Sequence, residues 1–176
     1  MKISSVIKNY AFDSLTLGVL GSHSALDLCL GSKKQGLKTI VVAQKGREKV
    51  YQDSYIKKGD TGCVDEVMVL SSFKDILKKE NQEKLRKKNV VFVPHRSFQA
   101  YLDFDYKAIE KRFEVPVFGN RELLKIEERG LEPNQYDLLS EAGIKTPKLF
   151  KNYEEIDRPV IVKVLEKERG FERAFF

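Results

Sequence analysis

The sequence predicts an α/β protein built on a doubly wound parallel sheet with helices on both faces. Three observations predict it. Apolar runs alternate with helical patterns from residue 15 to residue 129. A strand, a polar turn and a helix start coincide at Gly21-Ser22-His23-Ser24-Ala25-Leu26. The strand-helix-strand unit formed there is about thirty residues long, the size of a right-handed parallel crossover.

Each element follows from local chemistry. Residues 15–20 form an apolar block and read as the first strand. Residues 24–35 carry helical spacing and end at Gly36; residues 39–43 are a second strand. Residues 45–61 are polar, rich in lysine and weak in structural cues. Residues 64–70 give a third strand and 73–88 a helix, which Ser72 and Asp75 open as a capping box. A fourth strand, 90–93, stops at Pro94 and is followed by a loop over 95–102. A short helix at 105–112, a strand at 115–118 and a helix at 121–129 complete the alternation. After Gly130 the pattern changes: Pro133 breaks the chain, 135–142 is a helix stopped by Gly143, and 146–150 is extended around Pro147. A β-prone run, 159–164, follows the linker-like segment 152–158. A domain boundary is therefore placed near Gly130, with one domain over 1–130 and the beginning of another over 131–176.

Composition narrows the function classes. No apolar run approaches the roughly 20 residues of a membrane helix, and residues 1–13 lack the apolar core of a secretory leader, so a cytoplasmic protein is expected. Cys29 and Cys63 form no CxxC pair and read as buried free thiols. The net charge is +6, yet the lysines interleave with acids. The densest run, 74–88, reads as a solvated helix face, so nucleic acid is not an expected partner. A positive field of this kind steers anionic metabolites.

In an open parallel sheet, ligands bind beyond the carboxyl ends of the strands, near the point where strand order reverses. That rule gathers residues 21–24, 44–47 and 94–97. Together these segments offer Ser22, His23, Ser24, Lys45, Arg47, His95, Arg96 and Ser97. Free N–H groups at a helix N-terminus add positive potential, so a phosphorylated ribose bearing a polar heterocycle is matched in charge and hydroxyls. The same turn also reads as a plain cap, with Ser24 capping and Asp27 reaching back. Other chemistries lack their residues. No acid or cysteine stands at ligand spacing from His23 or His95, so no metal site is expected. The G-x-S-x-G elbow, G-x-G-x-x-G and the Walker A pattern are absent.

Taken as a set, Gly21-Ser-His-Ser-Ala-Leu, Gly31-Ser-Lys-Lys-Gln-Gly, Lys45-Gly-Arg-Glu-Lys, Val93-Pro-His-Arg-Ser-Phe-Gln-Ala-Tyr and Val115-Pro-Val-Phe-Gly-Asn-Arg, with Glu141-Ala-Gly-Ile and Pro159-Val-Ile-Val-Lys, resemble the archaeal formate-dependent formaminoimidazole-carboxamide ribotide synthetases. The resemblance spans roughly residues 14–163. It implies a Rossmann-like pre-ATP-grasp domain followed by the start of an ATP-grasp domain. It also implies a ligase of purine (IMP) biosynthesis that uses ATP and Mg2+ to join formate, as a formyl phosphate, to aminoimidazole-carboxamide ribotide. By the resemblance, His23 and Ser97 contact the ribotide and Lys163 meets nucleotide phosphates, in an enzyme that self-associates as a homo-oligomer. Two departures stand out. Arg96 occupies a position where the family more often has a small residue. Residues 164–173 carry one glycine, Gly170, where the family has a glycine-rich nucleotide loop. The chain ends at Phe176 and is expected to be the amino-terminal half of such an enzyme, with the acidic magnesium ligands in the other half. A ribotide- or nucleotide-binding module without catalysis is the alternative expectation.

Overall fold

Backbone ladders join four strands in the order β3-β2-β1-β4, all parallel. The computed structural model describes residues 3–95 and 97–163. Its contacts group into two units, one ending at Arg121 and one beginning at Glu122.

The first unit begins with a helical turn, α1 (Ile3–Val6), ahead of β1 (Thr16–Leu20). Helix α2 (Ala25–Lys34) leads to β2 (Lys38–Gln44), and β3 (Glu66–Leu70) completes one half of the sheet. The chain then returns past β1 to lay down β4 (Val90–Phe92) on its other side. Because crossovers are right-handed, this reversal of direction carries α3 (Lys79–Lys87) to the face opposite α2. The sheet is thus doubly wound, as the alternation predicts. Register aligns Leu20 with Val42 and Gly18 with Phe92, so the loops leaving β1, β2 and β4 emerge along one edge.

Strand residues alternate between two cores. On one face Val19, Val41 and Ala43 meet Ala25 and Cys29 of α2, together with Tyr51, Cys63 and Val64. Both cysteines are buried and free, and burial pushes the Cys29 thiol up to about 12. On the other face, the rings of Phe92, Phe98 and Phe113 lie 5.2–5.6 Å apart, centre to centre. The β1–β4 seam is fastened at its amino end by Asn89, in the left-handed region at φ 59°. The Asn89 side chain accepts from Ala11 N–H and donates to the carbonyls of Ala11 and Ser14.

Several elements depart from the expected pattern. The helix over 73–88 is broken at Lys78, whose ψ of 134° is extended. The Ser72/Asp75 capping box opens a 3-10 turn, Phe73–Leu77, before α3. The break is tolerated because Asn81 and Gln82 side chains donate to the carbonyls of Asp75 and Leu77. The stretch 95–102 is not a loop but contains α4 (Ser97–Tyr101), followed by α5 (Tyr106–Lys111). The strand over 115–118 contracts to one bridge between Phe92 and Val117, since Pro116 has no N–H to extend the ladder. Residues 121–129 form a 3-10 helix, Arg121–Glu127. Within the lysine-rich excursion, a π-helical turn, Val50–Ser54, carries Tyr51 into the core.

In the second unit, Asn134 and Asp137 form a capping box on α6 (Gln135–Glu141), which ends before Gly143. Residues 159–163 are not a strand. Ile161 and Val162 are more than four-fifths exposed, and no strand among the described residues pairs with them. β propensity expresses itself only against a partner. Residue 164 and the departure over 164–173 lie outside the described residues.

Candidate functional site

The edge at which β1, β2 and β4 end brings most of the expected residues together. Gly21 N–H donates to Val42 O at 2.8 Å, extending the ladder by one residue before the chain turns. Only glycine fits there: a Cβ would lie 2.8 Å from Tyr51 Cε2 and 3.0 Å from Val41 Cγ1. His23 follows in the left-handed region at φ 39°, a conformation that costs about 1 kcal/mol in a non-glycine residue and clusters at functional sites. The turn delivers its imidazole to two serines. Ser22 Oγ lies 2.9 Å from His23 Nδ1, and Ser97 Oγ makes a very close contact with the same nitrogen. The two serine oxygens are 3.4 Å apart. Ser97 is 2% exposed, Ser22 is half-buried and His23 is exposed, so the imidazole sits on a buried hydroxyl floor.

Ser24 occupies the N-cap position of α2 but makes no side-chain capping bond, so the Ser24/Asp27 capping box does not form. The helix N-terminus beside His23 therefore keeps its positive end.

His95 has a different part. Its Nε2 donates to Leu20 O at 3.0 Å and its Nδ1 accepts from Ser97 N–H at 3.2 Å. Both ring nitrogens are used, which ties the loop after β4 to the end of β1 and fixes a neutral tautomer. Burial is the main cause that lowers its pKa, the Leu20 contact opposes it, and nearby His23 adds to the lowering. The unfolded imidazole titrates near 6.5. As pH falls, the unfolded chain takes up this proton before the folded one. Stability is therefore complete above 6.5 and drains away as pH falls through the lower folded value. Urea midpoints measured on both sides of pH 6.5 should show this decline, and His95→Gln should flatten it.

From the loop after β2, Gly46 at φ 91° turns the chain and Arg47 N–H donates to Gln44 O. Arg47 Nη1 donates to the Tyr101 hydroxyl at 2.6 Å, and its Cζ stands 5.3 Å from the centre of the Tyr101 ring. The Tyr101 ring packs at 4.4 Å on Phe73. The Tyr101 oxygen is 3.3 Å from Ser22 Oγ. Sequence reasoning missed Tyr101 because it read 95–102 as a loop. Four residues after Ser97, it shares that residue's helix face once α4 is recognised.

Lys45 is exposed at the same edge, with its backbone N–H donating to Leu70 O. Arg96 lies outside the described residues. Lys163, in the second unit, is exposed. Among the described residues, no group of three His, Cys, Asp or Glu side chains could hold a metal ion. No helix among them is long and apolar enough to cross a membrane. A cavity of about 770 Å3 opens at the opposite edge, where Ser14, Arg86, Asn89 and Glu114 precede β1, β4 and the Val117 bridge. It has no part in this cluster. The candidate site combines a positive helix end, an arginine, hydroxyls and an imidazole, a set suited to an anionic, hydroxyl-bearing ligand.

Residues 17–150 match the family profile described as protein of unknown function (DUF1246). The chain is 44% identical over 163 residues to the 5-formaminoimidazole-4-carboxamide-1-(beta)-D-ribofuranosyl 5'-monophosphate synthetase of Methanopyrus kandleri, an alignment covering 92% of this chain and 42% of that protein. It is 41% identical over 163 residues to the protein of the same name from Methanothermobacter thermautotrophicus, with the same coverages. The chain thus spans about 42% of the length of these curated relatives. Among solved structures, an IMP biosynthesis protein PurP from Thermococcus kodakaraensis matches with a TM-score of 0.57 and 31% identity, over 78% of this chain and 40% of that one.

Proposed function

From the premise that the chain belongs to the DUF1246 family, we propose that its first unit binds aminoimidazole-carboxamide ribotide for an ATP-dependent formylation in purine biosynthesis. The observation that carries this reading is the convergence of Ser22, His23, Arg47 and Ser97 from three loops at the carboxyl edge, where strand order reverses between β1 and β4. The 5'-phosphate takes the positive end of α2 and the Arg47 guanidinium, with Lys45 adding charge at the rim. Sugar hydroxyls and the carboxamide take the serines and the imidazole. The names of the curated relatives support this choice among phosphorylated ligands.

ATP, Mg2+ and formate are the other reactants of the proposed ligase, and Lys163 is its proposed nucleotide-phosphate contact. Among the described residues, no group of three His, Cys, Asp or Glu side chains could hold the magnesium ion. The work assigned to them is alignment: holding the ribotide so that its amino group faces an activated formyl donor. Calorimetric titration of this chain with the ribotide should give saturable one-site binding, weakened by added salt. Absence of binding, or equal binding of the phosphate-free riboside, refutes the reading.

A further inference from the structure

We propose that Tyr101 is a positioning residue, coupling the Arg47 guanidinium through Ser22 to the His23 imidazole and so keeping the imidazole proton on Nε2. A guanidinium only donates, so the Tyr101 oxygen must accept from Arg47 Nη1 at 2.6 Å. That leaves the phenolic proton for Ser22 Oγ at 3.3 Å, and the Ser22 proton for His23 Nδ1 at 2.9 Å. Ser97 joins the chain at Ser22 Oγ and His23 Nδ1. Along Arg47–Tyr101–Ser22–His23 the donors point from the cation to the ring, with Ser97 donating to Ser22 Oγ from the side, and a hydrogen-bond chain polarised by a charge at its head strengthens each member. Nδ1 is thereby an acceptor and Nε2, on the far side of the ring from the serines, carries the proton. Tyr101 can hold this geometry because its ring rests on Phe73, which is 1% exposed, while Arg47 lies over the faces of both rings.

Two functions follow for one hydroxyl. It orients Arg47 toward a bound phosphate, and it presents His23 as a donor to an acceptor atom on the ligand. Only the first part of the test depends on the ribotide reading. Tyr101→Phe keeps the ring and its stacking but removes the oxygen. Ribotide affinity should fall about tenfold, the loss of one hydrogen bond to a charged group, while the affinity of the phosphate-free riboside changes far less. The second part needs no ligand. Nitrogen-15 resonances of the His23 ring in the free chain should show a single Nε2–H tautomer. In Tyr101→Phe, and in Ser22→Ala one link further along, they should show a mixture of tautomers. Ring resonances unchanged in both variants overturn the proposal. Changed resonances in a chain that binds no ribotide support the relay and refute the ribotide reading alone.

Discussion

Phe92→Ala is expected to lower the stability of the first unit by about 3–5 kcal/mol, a large share of the roughly 5–15 kcal/mol that holds a typical domain together. Phe92 is fully buried, and its ring packs between Phe98, 5.2 Å away, and Phe113, 5.6 Å away and nearly edge-on. Truncation removes the buried area, leaves a cavity and forfeits two aromatic contacts. The backbone of Phe92 also links β4 to the Val117 bridge, through Phe92 N–H to Pro116 O and Phe118 N–H to Phe92 O. Phe98 is the neighbour of Ser97, so loss of its packing partner loosens α4 beneath the site. Ribotide affinity should fall with stability, although Phe92 touches no candidate ligand group. Urea denaturation monitored by circular dichroism checks the first effect. A loss below about 1 kcal/mol would mean that the three rings do not form the core of that face.

His23→Ala is expected to weaken ribotide binding by about 1–3 kcal/mol, roughly five- to 150-fold. The substitution removes the donor at Nε2, while the buried Ser97 hydroxyl keeps Ser22 Oγ, 3.4 Å away, as its acceptor. Alanine at φ 39° carries the same left-handed penalty as histidine, so the backbone strain is unchanged and stability should move little. This separation of affinity from stability distinguishes a ligand-facing histidine from one that merely shapes the turn. Calorimetric titration beside a melting curve reads both. Unchanged affinity assigns His23 to the turn.

The parts legible in the sequence were those written in contiguous chemistry. β1, β2 and α2 follow from apolar blocks punctuated by glycine, and the capping box at Ser72/Asp75 sits where a helical turn begins. The gathering of Ser22, His23 and Ser97 was legible because the switch-point rule needs only strand order. What stayed hidden depended on distant partners. α4 is five residues long, too short for periodicity, and forms because Phe98 is buried and His95 engages the first N–H of the helix. The break at Lys78 depends on Asn81 and Gln82 reaching back, and Tyr51 needs the close approach that Gly21 permits. The run 159–163 misled for the converse reason: its composition favours a strand, but pairing is a property of two segments. His95 looked like a ligand contact beside His23, yet both of its nitrogens serve the scaffold.

Asn89 at one end and His95 at the other pin the same two neighbouring strands. A seam bolted at both ends cannot splay, so the groups beyond it are preorganised before any ligand arrives. Association then spends little free energy on immobilising the receptor, and more of each polar contact appears as affinity. Amide hydrogen exchange in β1 and β4 should be slow in the free chain and nearly the same when a ligand is bound.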